Sequence, residues 1–141
     1  MMTSAPGISR TTSRSLILTT TAVLGAAGVA LIFAPLEIAG ALGIADPGIG
    51  ALLFQLYGAA LFGLAMTGWM IRDAIVGGVF GRSYVVGNAG HAMVGALILV
   101  RPALASGATS ALWAITAVYW LLAITFGYLM LFAAPGTRQP L

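Results

Sequence analysis

The sequence predicts an all-α integral membrane protein, a four-transmembrane-helix antiparallel bundle with both termini cytoplasmic. Three observations carry that expectation. Of 141 residues, 60% are hydrophobic and 6% are charged, whereas a soluble domain carries roughly 25% charged residues. So few charges could not cover the chain in water, and its mean hydropathy of +1.05 makes lipid the natural solvent. Apolar stretches recur at 16–34, 50–71, 84–100 and 108–132, and a helix needs about 20 residues to cross about 30 Å of hydrocarbon. Finally, an inside N-terminus puts Arg10, Arg14, Arg72, Arg82 and Arg138 on the cytoplasmic side and Arg101 alone outside, with Glu37 and Asp46. That is the positive-inside pattern of short loops.

Residues 1–15, MMTSAPGISRTTSRS, are polar and small and contain Pro6 and Gly7. They read as a mobile cytoplasmic tail. The first span, Leu16 to Ala34, follows Arg10 and Arg14, an arrangement shared with signal peptides, and Ala39-Gly40-Ala41 is a weak cleavage-like site. A signal h-region covers only about 7–15 residues, so an uncleaved anchor is the favoured reading. Pro35 ends the helix, and Leu36 to Ile44 is too short to cross, so it should lie at the outer interface with Glu37 in water. Asp46-Pro47-Gly48 reads as a turn.

The second span, Gly50 to Ile71, carries Ala51, Gln55, Ala59, Gly63 and Thr67 at four-residue intervals. Small residues spaced this way let helix backbones approach. The loop from Arg72 to Ser83 holds Arg72, Asp73 and Arg82, with an apolar centre that dips toward the headgroups. The third span, Tyr84 to Val100, is the shortest. Arg101 to Gly107 forms an outer turn, and the fourth span, Ala108 to Phe132, is the longest. Trp113, Tyr119 and Trp120 on it suit anchoring or packing, or line a ligand. Residues 133–141 form a polar cytoplasmic tail. The membrane domain is thus 16–132, flanked by two tails.

Composition also removes function classes. Without cysteine there are no disulfides, thiolate metal sites or dithiol reactions. One histidine and three acids make a metal site within one protomer unexpected, and haem asks for a second axial ligand. No cofactor and no metal are therefore expected. All six basic residues are arginine, scattered rather than gathered on a basic face, so no nucleic-acid partner is expected. Small four-helix exporters use an acid in the first span, and Leu16 to Ala34 has none.

The residues with chemistry are Asn88 and His91, three apart in the third span and so on one helix face. Polar groups at such depth are costly and point to function. Counted from Tyr84, His91 sits about 11 Å from the cytoplasmic boundary, level with Gly63. Asn88 is shallower, level with Thr67, Thr20 and Tyr128, and Thr125 comes close to His91. These form a candidate polar layer, while Gln55 falls in the outer half near Thr116 and Tyr119. The competing reading is plainer. His91 and Asn88 bond another helix, and Gly63, Ala59, Gly87, Gly90 and Gly95 serve close packing.

Two functional classes follow. The favoured one is a non-catalytic accessory or scaffold subunit of the cell membrane, acting through helix contacts in a homodimer or larger membrane complex. The alternative binds or modifies a lipid, isoprenoid or quinone-like molecule through the polar layer around Asn88 and His91. With no carboxylate, thiol or second histidine at that level, acid–base catalysis by one protomer is hard to build.

Overall fold

The computed structural model describes residues 9–74, 76 and 78–132. Residues 1–8 of the expected N-terminal tail and all of the C-terminal tail lie outside the described residues. The described chain is helical, in the order α1 (Arg10–Phe33), α2 (Pro35–Ala41), α3 (Gly50–Met70), α4 (Val79–Ala103) and α5 (Ser110–Phe132). All but α2 are long and apolar enough to cross a membrane. At about 1.5 Å per residue each exceeds the roughly 30 Å of a hydrocarbon core, as a small multi-pass membrane protein requires.

Two helices start earlier than their apolar stretches. α1 begins at Arg10 rather than Leu16, so residues 10–15 are helix and not tail. Ser9 explains it. Its backbone is extended, and its hydroxyl accepts the Thr12 backbone N–H at 3.1 Å. A helix start is set by such a cap, and wet polar residues can fill the first turn. α4 begins at Val79 rather than Tyr84, after Gly78 in extended conformation. Ser83 settles into its second turn by donating to the Val79 carbonyl at 3.0 Å. α4 also runs on through Arg101 and Pro102, because a proline in the last turn forfeits one bond at an end where helices already fray.

Pro35 divides α1 from α2. A residue before proline is disfavoured in the helical region, and Ala34 duly leaves it, at φ −128° and ψ 46°. Proline then opens α2, the short segment expected at the interface, with Glu37 in its first turn. Gly107, at φ +90°, makes the turn between α4 and α5, a conformation that glycine adopts without a Cβ penalty.

The long helices pack as two antiparallel pairs, α1 with α3 and α4 with α5. In the first pair the backbones meet at Gly28 and Gly58. A Cβ on Gly28 would lie 2.8 Å from the Gly58 carbonyl oxygen, and one on Gly58 would lie 2.7 Å from that of Gly28. Leu24, Leu61 and Ala65 fill the pair beside this crossing. The second pair closes over Ala92, Ala96 and Ala123. The pairs join through Ile17, Tyr84, Val85, Ala89, Phe126 and Leu129. Tyr84 meets Phe126 edge-on, with ring centroids 6.2 Å apart. Val76 of the α3–α4 loop belongs to the same cluster. Its backbone N–H donates to the buried Ser13 hydroxyl at 3.4 Å. Val76 is therefore tucked under the bundle, and the Arg14–Asp73 pair at 3.4 Å is exposed to solvent.

Candidate functional site

His91 lies midway along α4, twelve residues from Val79 and twelve from Ala103. The sequence placed it in the inner half of the membrane, level with Gly63. The extra residues at the start of α4 move it to the middle. There it meets Tyr57 of α3 and Tyr119 of α5. Its Nε2 is 3.3 Å from the Tyr57 hydroxyl and 3.3 Å from that of Tyr119, and the two hydroxyls bond each other. The Tyr57 and His91 rings stack with centroids 6.0 Å apart, and the Tyr119 ring is 5.6 Å from the imidazole. Three helices thus contribute one polar head each to a closed triangle. With Nε2 as acceptor, the two phenolic protons make two bonds at a time, one phenol donating to Nε2 and the other donating to that phenol's oxygen. Among the described residues, the hydrogen-bond partners of the imidazole are the two phenols.

Tyr57 is the residue that the sequence reading overlooked, and it placed Tyr119 beside Gln55 instead of His91. One signal was available. Tyrosine in spans favours the interfaces, where its hydroxyl reaches water, and Tyr57 and Tyr119 both sit well inside theirs. A mid-span hydroxyl needs a partner, and an imidazole on another span can supply one.

Asn88 is 3% exposed and does not reach another helix through its amide. Its Nδ2 donates to the Tyr84 carbonyl at 2.9 Å, one turn back on α4. Thr67 likewise donates to Gly63 at 3.0 Å. The structure does bring Asn88, Thr67 and Gly87 together, along a groove between α3 and α4 of about 250 Å3. The other members of the expected polar layer do not join them. Thr20 is buried on α1, Thr125 is half-buried on α5, and Tyr128 lies on the outer surface with its ring 5.0 Å from that of Phe132. Gln55 is neither near Thr116 nor near Tyr119. Its amide crosses to α1 and donates to the Ile32 carbonyl at 3.2 Å, while Thr116 donates within α5 to Leu112 at 2.7 Å.

The packing residues divide in the same way. Gly95 lies against the Tyr119 ring. Ala59 and Gly63 are on the outer surface of α3, and a Cβ on Gly63, Gly87 or Gly90 would meet nothing within 4 Å. Within the chain, the close approach belongs to Gly28 and Gly58. A second tight point is Gly68, which faces Thr21 and Tyr84, whose buried hydroxyls have no hydrogen-bond partner by geometry among the described residues.

The sequence matches no family model and no curated protein, and the fold matches no solved structure.

Proposed function

We propose that the chain is a non-catalytic accessory or scaffold subunit of the cell membrane, acting through helix contacts. One observation carries this reading. Five polar side chains of the spans make their hydrogen bonds inside the chain: His91 with Tyr57 and Tyr119, Gln55 with α1, and Asn88, Thr67 and Thr116 with their own helices. What is left for a partner is surface. On α3 that surface includes Ala59, Gly63 and Thr67, small enough for another helix to approach closely, whether from a second copy or from a different membrane protein. The positive-inside distribution of arginine supports cytoplasmic placement of both termini.

The alternative, a pocket that binds or modifies a lipid-like molecule, has one observation in its favour, the groove beside Asn88. It lacks a reactive group there, and His91 is engaged with tyrosines.

Two variants separate the readings in cells that depend on the protein. Gly63→Leu adds bulk to an open outer position and leaves the internal contacts alone. It should abolish the cellular phenotype while abundance and helicity stay unchanged. His91→Phe keeps a ring of similar size and should lower thermal stability while the phenotype persists. The reverse outcome, full phenotype for Gly63→Leu and a folded but inactive His91→Phe protein, contradicts the scaffold reading.

A further inference from the structure

We infer that the groove between α3 and α4 holds one acyl chain of an anionic phospholipid. Tyr57 and His91 bridge the seam between these helices at mid-membrane. Toward the α3–α4 loop the same seam opens, because Gly87 presents no side chain and a Cβ there would meet nothing within 4 Å. The groove is lined by Leu64 and Thr67 of α3, by Ile71 just past its end and by Phe80, Gly87 and Asn88 of α4, among others, and is an open channel of about 250 Å3. Leu64 and Ile71 follow Tyr57 at seven-residue steps, so the opening runs along one helix face for about 10 Å, the shape of a chain and not of a compact head.

Its walls are apolar for a specific reason. The hydroxyls of Thr67 and Ser83 are turned back onto the Gly63 and Val79 carbonyls, which leaves their carbon atoms facing the groove. An apolar cavity of roughly 150 Å3 already accommodates benzene, so this volume suits a length of hydrocarbon. The groove opens sideways on the flank of the spans, where lipid is the solvent.

Charge chooses the headgroup. The groove ends at Ile71, next to Arg72, at the end of the bundle that holds Arg10, Arg14, Arg72 and Arg82 against Asp73, four positive charges less one negative, or +3. The Arg14–Asp73 and Arg72–Asp73 pairs fix which end this is. The opposite end holds Arg101 against Glu37 and Asp46, one positive less two negative, or −1. The Arg72 guanidinium itself lies over the Trp69 ring and donates to the Trp69 carbonyl at 2.9 Å, so the +3 field of this end, and not a free Arg72, favours an anionic phosphate whose chain runs toward His91. This assignment shares only Thr67 with the surface that the scaffold reading offers to a partner, and the variants at Gly63 and Gly87 test the two separately.

Native mass spectrometry of the full chain tests it, after reconstitution in vesicles of equal parts phosphatidylcholine and phosphatidylglycerol and extraction in mild detergent. The chain should retain phosphatidylglycerol in preference to phosphatidylcholine. Gly87→Leu, which fills the groove, should cut that retention about tenfold. Gly90→Leu, equally open but not lining the groove, should retain lipid as the unaltered chain does. Arg72→Gln with Arg82→Gln should abolish the preference for phosphatidylglycerol. Circular dichroism establishes that each variant is helical. Equal retention of the two lipids overturns the inference, as does retention that Gly87→Leu leaves intact. A lipid-free dimer that Gly87→Leu dissociates also overturns it, and gives the groove to a partner helix.

Discussion

An imidazole in the middle of an apolar helix is expensive unless its nitrogens find partners. In this chain one nitrogen of His91, Nε2, finds two, Tyr57 and Tyr119, on two different helices. The tyrosines are well suited to the task. Each brings a ring that packs as an apolar body and a hydroxyl that needs a bond, so the polar heads shield one another behind carbon. The energy of such a contact is modest, because a polar group in an unfolded but membrane-inserted chain also finds partners. Interhelical bonds of this kind average about 0.6 kcal/mol and reach about 1.7 kcal/mol. A double-mutant cycle with Tyr57→Phe and His91→Phe, read by unfolding in mixed micelles, should therefore give a favourable coupling within that range. Zero coupling would mean that the two side chains are neighbours without being bonded. Sequence alone singled out His91 and Asn88 because they are the rare polar residues of their span. It did not single out Tyr57, because tyrosine counts as apolar in a hydropathy window and as an anchor in a belt, and its depth had to be known before its hydroxyl became conspicuous.

At the scale of the helices, the existence and order of the four long elements were legible from hydropathy and the end of the first from Pro35, whereas residues 36–44 read as an interfacial segment and not as the helix α2. The starts of α1 and α4 were not legible, since Ser9 and the Gly78 region act through backbone conformation. That shortfall displaced His91 in depth and paired it with Gly63. The face of α3 that packs within the chain is not this stripe of small residues, for a geometric reason. Residues four apart advance about 40° around a 3.6-residue helix at each step, so the stripe from Ala51 to Thr67 winds away from α1 and leaves Ala59, Gly63 and Thr67 open. The buried set is Gly58, Leu61, Ala65 and Gly68, whose alternating three- and four-residue steps stay on one face. Gly58 is the point where this matters most. A methyl group there would lie 2.7 Å from the Gly28 carbonyl oxygen and 2.8 Å from the Leu31 Cβ, so α1 and α3 must separate to admit it. Gly58→Ala should destabilise the chain by about 1–3 kcal/mol, the usual range for overpacking, measured by denaturant titration in detergent. Gly63→Ala, on the open face of the same helix, should leave the midpoint unchanged.

For the whole molecule, the two helix pairs divide the work. The α1–α3 pair is held by backbone contact at paired glycines, the α4–α5 pair by a layer of alanines. Lipid supplies no hydrophobic drive between helices, so close packing of this kind has to hold the pairs together. Between the pairs, contact is concentrated at the loop end, around Tyr84 and Phe126, and at the Tyr57–His91–Tyr119 triangle. Threading is what gives these contacts their setting. If the four long helices cross the membrane, the α2–α3 turn and the α3–α4 loop lie on opposite sides of it. The absence of cysteine from the chain makes single-site labelling unambiguous. In intact membranes, a membrane-impermeant thiol reagent should modify Asp46→Cys from outside and reach Arg82→Cys only after the membrane is opened, whereas modification of both from the same side would contradict the four-span arrangement.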